Sequence, residues 1–146
     1  MGQQQLLLIV LGVIIIGIAV AVGINMFSSN AIDANRDAVT ADLTQLASKA
    51  QQYFKKPTTM GGGGNDFNGF TLGSLDTLNA NGGYRVSGAA VNTLVTAIPA
   101  GVITIGSTDQ EIFIIGYGTE TGRDGSNLVM ASATVTPTTI TAAVLN

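Results

Sequence analysis

The 146-residue sequence contains no cysteine and no histidine. The first absence removes disulfides, thiolate nucleophiles and sulfur-ligated metals. The second removes the commonest metal ligand and the commonest general base. No Ser/His/Asp or Cys/His constellation can be assembled, so no catalytic residue, cofactor site or metal site is expected and the chain is read as not an enzyme. Charge is scarce as well. Six basic residues stand against nine acidic ones, for a net charge of −3, and Lys55-Lys56 is the only adjacent basic pair. That balance argues against nucleic acid as a partner. No Asn-x-Ser/Thr triplet occurs, which excludes N-glycosylation at that sequon and leaves only the Ser and Thr hydroxyls for sugar.

The most informative absence is local. No charged side chain precedes Asp33, and no proline precedes Pro57. A membrane span usually carries Lys or Arg near one end, and a secretory signal peptide usually opens with a basic stretch. Here the first residues are MGQQQ. Leu6 to Ile24 is then an unbroken run of Leu, Ile, Val, Ala and Gly. As a helix it would span about 28 Å at the usual rise per residue, close to the thickness of a bilayer core. Gly12, Gly17 and Gly23 interrupt the run; glycine is a poor helix former in water but permits close helix approach in an apolar medium. The 12/17 spacing is not G-x-x-x-G.

The helical pattern continues past the apolar run. Ser28-Ser29-Asn30 offers a cap, but nothing stops the chain before Pro57. Ile32, Val39, Leu46 and Tyr53 recur every seven residues, with Leu43 and Ala50 between them, giving one apolar stripe. Asp33 and Asp37 lie towards the start of this segment and Lys49, Lys55 and Lys56 towards its end, the polarity a helix dipole favours. One helix over roughly 4–56 is expected, with a bend near Gly23–Asn30 as an option.

Then comes PTTMGGGGNDFNG. Four consecutive glycines hold no regular element, and no Lys-Ser/Thr follows to make a phosphate loop, so a flexible connector is expected. Beyond it the chain reads as strands at Gly83–Val91, Val102–Thr108, Glu111–Thr119 and Leu128–Thr136, with a further one at Thr139–Leu145 and a short strand or helical turn within Thr71–Asn79. Asp109-Gln110 suits a hairpin between the second and third, and TGRDGSN a turn before the fourth. The carboxylates of Asp109 and Glu111, of Asp124, and of Asn65-Asp66 all sit at turn positions, which accounts for them without acid/base or calcium chemistry. The uncharged run ATVTPTTITAAVLN has high strand propensity and would need a cover or a neighbour. Four or five antiparallel strands would need one face covered, and the Val39, Leu43, Leu46, Ala50 and Tyr53 stripe is the natural cover.

The expected fold is therefore α+β: a long N-terminal helix, its apolar half protruding, packed by its C-terminal half on a small antiparallel sheet. Four segments follow: 1–27 the apolar transmembrane or filament-core helix, 28–56 its amphipathic continuation, 57–70 the Gly-rich connector and 71–146 the sheet domain.

A charge-free apolar N-terminal helix, an amphipathic continuation without a break and a small antiparallel sheet together resemble the type IV pilin family. The resemblance covers the whole chain in architecture and about the first 27 residues in sequence. It implies a precursor with a basic leader, cut by a prepilin peptidase and N-methylated. It implies a subunit held in the cytoplasmic (inner) membrane and then moved by an assembly machinery into an open helical filament on the cell surface. The chain departs from the family at Met1, where a methylated Phe is usual, at Gln5, where Glu is usual, and at Val22, where a helix-loosening Pro is common. A start at Met1 puts Gln5 in the polar slot; a start at Gln3 would put Leu7 there. A neutral Gln5 carbonyl can accept a hydrogen bond from the Met1 amine.

On this resemblance the assembly residues are Met1, Gln5, Leu6, Leu7, Ile9, Val10, Val13, Ile14, Ile16, Ile18, Val20, Val22, Ile24 and Phe27. Gly12, Gly17 and Gly23 become candidate points of helix melting. The expected partner is further copies of the chain, with no small-molecule substrate. A secretion pseudopilin, an archaeal-type adhesive filament subunit and, in a different class, a bitopic membrane-anchored binding module are the alternatives. Adhesion, motility, secretion and DNA uptake all use this subunit plan.

Overall fold

The computed structural model describes residues 2–91, 93–98 and 110–146. Met1, Asp109 and the expected strand at 102–108 lie outside them. A single helix, α1, runs Gln3–Lys55, and its hydrogen bonding is continuous through Gly12, Gly17 and Gly23. The chain divides into two units, Met1–Ala31 and Ile32–Asn146.

Within the second unit, α1 carries three hydroxyl residues that would ordinarily weaken a helix. Their side chains bond back along it instead. Thr40 donates to the Arg36 carbonyl at 2.8 Å, Thr44 to Thr40 at 2.9 Å and Ser48 to Thr44 at 2.9 Å. Each hydroxyl is thereby satisfied one turn back on its own helix.

Pro57 cannot continue the helix and disfavours helical backbone at Lys56. The Gly-rich run after it corrects the expectation of a flexible connector, because it closes the end of α1. A short 3-10 turn, Thr58–Met60, comes first. The amides of Gly63, Asn65 and Gly64 then donate to the carbonyls of Tyr53, Phe54 and Lys56, at 2.8, 2.8 and 2.9 Å. Those carbonyls are the ones a helix end leaves without partners. A Cβ at Gly62 would strike the Lys56 carbonyl, and one at Gly63 the Asp66 carbonyl. The glycines are there because the chain doubles back against itself.

Four strands follow: β1 Gly82–Ser87, β2 Ile112–Thr121, β3 Leu128–Val135 and β4 Ile140–Val144. They form one antiparallel meander in the order β1-β2-β3-β4. β1 ends at Ser87, earlier than the expected Val91. The expected hairpin from 102–108 into β2 falls outside the described residues, and β2 itself is paired on both sides. Its Phe113–Tyr117 stretch faces β1 across one edge and β3 across the other. Thr71–Asn79 is a turn, joined to β1 by a single bridge between Leu78 and Gly83.

The sheet buries both faces, where the sequence pattern called for covering one. On the helix side, Val39, Leu43, Leu46, Ala47, Ala50 and Phe54 pack with Tyr84, Val86, Ile112, Ile114, Ala131, Ala133 and Val135. Phe67, Phe70 and Leu72, from the loop after α1, complete that core. On the other face, Ile115, Tyr117 and Met130 pack with Val91, Leu94, Val95, Ile98 and Leu145. β2 reads IFIIGY, without polar alternation, because both its faces are covered. The fold is thus α+β, a long N-terminal helix packed on a small four-stranded antiparallel sheet.

Candidate assembly surface

In the unit Met1–Ala31, every large apolar side chain from Leu6 to Phe27 is exposed, from 52% at Val22 to 79% at Phe27. Leu6, Leu7, Ile9, Val10, Val13, Ile14, Ile16, Ile18, Val20, Val22 and Ile24 all belong to this surface. Gln5 is exposed beside it, and its backbone N–H donates to the Gly2 carbonyl at 2.9 Å. The Met1 amine lies outside the described residues. A Cβ at Gly12, Gly17 or Gly23 would meet nothing within 4 Å. Ala19 and Gly23 leave a shallow apolar groove between Ile15, Ile18, Val22 and Met26. An uninterrupted exposed apolar surface of this extent marks an interaction or membrane site rather than a solvated one.

In the unit Ile32–Asn146, the helix stripe lies where the sheet is. Val39, Leu43 and Ala50 are fully buried and Leu46 is 5% exposed. Tyr53 is only half-buried; its ring lies 5.4 Å from that of Phe70 and its hydroxyl donates to the Asn68 carbonyl at 2.8 Å. A tyrosine suits this rim position, with an apolar body and a polar tip. The helix passes close over two glycines of β2. A Cβ at Gly116 would come within 2.7 Å of Val39 Cγ1, and one at Gly118 would strike Asn35 Oδ1.

Polar clamps fix the same contact. Asp42 Oδ2 accepts three side-chain hydrogen bonds, from Tyr84 at 2.7 Å and from Asn79 and Asn81 at 2.8 Å each. Burial pushes the Asp42 carboxyl up, but the Asn81, Tyr84 and Asn79 donors outweigh it and hold its pKa below the ordinary value. The Tyr84 hydroxyl is pushed well above the usual phenol range by burial and by the Asp42 charge. Lys49 pairs with Asp76 at 2.7 Å on the same side. Further along α1, Arg123 in the β2–β3 turn pairs with Asp33 at 2.8 Å. Gln51 donates to the Thr136 carbonyl in the β3–β4 turn at 2.9 Å. Asp124 Oδ1 accepts the Ser126 and Asn127 backbone N–H groups, so that carboxylate organises its own turn.

Sequence reasoning passed over Ala47, Phe67, Phe70 and Leu72 as core and Asp42 as the polar hub. Asp42 carried a signal: it is an acid set between Leu43 and the Val39 position, on the flank of the apolar stripe. Its donors come from Asn79-Ala80-Asn81 and Tyr84, which only the fold brings near.

No family model matches this chain, and searches of curated proteins and of solved structures returned no match either. The architecture stands on its own features. An apolar N-terminal helix and a small antiparallel sheet packed on its continuation make a pilin-like architecture in the general sense.

Proposed function

We propose that this chain is the structural subunit of a type IV pilus-like helical filament on the cell surface, drawn from the cytoplasmic membrane through its N-terminal helix. The observation that carries the reading is the exposed, charge-free apolar surface of Leu6–Phe27 in a chain whose second unit buries its own core. The apolar surface would find lipid before assembly and neighbouring copies after it. Burial away from water is worth roughly 25 cal/mol per Å² of apolar surface. Each copy would present the same surface, and a head-to-tail contact of that kind generates an open helical polymer rather than a closed ring.

Leader removal by a prepilin peptidase and N-methylation belong to the same proposal. So does a Gln5 carbonyl accepting a hydrogen bond from the N-terminal amine. A neutral acceptor at that depth avoids burying an unpaired carboxylate. Helix loosening across Gly17–Gly23 on assembly is the remaining part; a filament map with continuous helical density there rejects it. The role is structural rather than catalytic.

The test is intact mass spectrometry with electron microscopy on material sheared from the outside of the source cells. Filaments built of this chain as the dominant species support the reading. A start at Gln3 in that material would retain the filament and end the Gln5 contact. Recovery in the membrane fraction alone, with a longer basic N-terminus, overturns the filament and leaves a bitopic membrane anchor.

A further inference from the structure

The two edges of the sheet are treated differently. Along the first half of β1 the edge is occupied: Tyr84 N–H donates to the Thr77 carbonyl at 2.8 Å and Asn79 N–H to the Gly82 carbonyl at 2.9 Å. Along β4 no further strand is paired among the described residues. Which backbone groups β4 leaves open follows from its register. Leu145 N–H donates to the Met130 carbonyl and Thr136 N–H to the Thr139 carbonyl, so 130/145 and 136/139 are hydrogen-bonded pairs. Antiparallel ladders alternate, so 132/143 and 134/141 are bonded as well. The N–H and C=O groups of Ile140, Ala142 and Val144 therefore point away from β3.

Open edges invite a second strand, and proteins that avoid this place lysine, proline or a bulge on them. β4 has none of these. Its register with β3 runs without a shift, and no residue from Gly125 to Asn146 is charged. Thr141, Ala142, Ala143 and Val144 are exposed.

We infer that β4 is a self-pairing edge, through which two copies of this chain join antiparallel about a two-fold axis at Ala142. The outward groups are palindromic. Ile140 meets Val144 of the second copy, Ala142 meets its own counterpart, and Val144 meets Ile140, so every open donor finds an acceptor. Small side chains at Thr141, Ala142 and Ala143 let the strands close, and the uncharged run adds no repulsion between two chains of net charge −3. Ile140, Ala142 and Val144 share the sheet face of Val135, Ala133 and Ala131, so the helix-side apolar layer would continue across the junction. Such a contact closes on itself. It cannot propagate a helical filament, so its consequence, which rests on the filament reading above, is lateral joining of one filament to another.

The chain has no cysteine, so an introduced one reports this contact alone. In a hydrogen-bonded antiparallel pair the Cα atoms lie about 5.5 Å apart, inside the range a disulfide spans. Ala143 would face Thr141 of the second copy, too far from its own counterpart to bridge. The experiment places Ala142→Cys and Ala143→Cys separately in the full chain and oxidises both, on sheared filaments and on detergent-solubilised protein. Covalent dimer from Ala142→Cys with little from Ala143→Cys is the expected result. Ala142→Pro, which removes an outward N–H without touching the β3 ladder, should leave single filaments that no longer bundle. Intact filaments with no Ala142→Cys dimer, or equal dimer from both cysteines, overturn the inference. If no filaments form, the detergent comparison still tests β4 separately from the filament reading.

Discussion

Asp42 joins one carboxylate oxygen to donors from three positions, and two consequences follow at that scale. Asp42→Ala would strand the part-buried Tyr84 hydroxyl and Asn81 amide, while the exposed Asn79 amide turns to water. Leaving part-buried donors unmet costs about 1–3 kcal/mol, readable by chemical denaturation of the full chain in detergent. The pKa of Asp42 is depressed in the fold, so its contribution is fully present above the unfolded value and is lost as pH falls through the folded one. Stability should therefore decline below pH 3.8, the ordinary value. Asp42→Asn should flatten that decline, and the exposed Asp124, shifted in the same direction, should retain its own share. Gly116 is the other decisive residue. Gly116→Ala drives a Cβ against Val39 and the Tyr84 ring, and overpacking of this kind costs about 1–3 kcal/mol. Combining it with Val39→Ala should recover part of the loss, because the two sites share one volume.

At the scale of elements, α1 is a single run of hydrogen bonds, and its end is the telling part. The tetraglycine works as a cap. Replacing Gly62 or Gly63 with Ala should destabilise the unit Ile32–Asn146, because the new Cβ meets a backbone carbonyl oxygen, that of Lys56 at the helix end for Gly62 and that of Asp66 in the returning loop for Gly63. Gly12→Ala should not, since its surroundings are open; the measurement is the unfolding midpoint of each variant side by side. Much of this level was legible in the sequence. The seven-residue recurrence through Val39, Leu46 and Tyr53 placed the helix face, and turn residues bounded β2, β3 and β4 within a residue or two. The sequence pattern overextends β1 because Val91 is strand-favouring. The chain instead turns at Ser87, whose hydroxyl donates to the Ala89 carbonyl at 2.8 Å.

For the whole molecule, the proposal separates assembly from folding. Ile14→Lys puts a charge in the middle of the exposed apolar surface. It should abolish filaments in the sheared fraction while leaving the unfolding of the unit Ile32–Asn146 unchanged, because nothing in that core involves Ile14. Loss of both together would mean that the apolar helix contributes to folding, which the separate cores of the second unit argue against.

The sequence by itself determined the periodic and compositional features: the uncharged apolar helix, its amphipathic continuation, the stop at Pro57 and the positions of most strands. Those depend on neighbours close along the chain, where periodicity and proline act directly. Only the tertiary structure decided what depends on residues far apart. It put Asn79, Asn81 and Tyr84 around Asp42, placed Gly116 under Val39, and set Val91, Leu94, Val95 and Ile98 against the far side of the sheet. It also left β4 without a further paired strand among the described residues, since an edge is defined by which strands pair and no single strand's sequence states its partners.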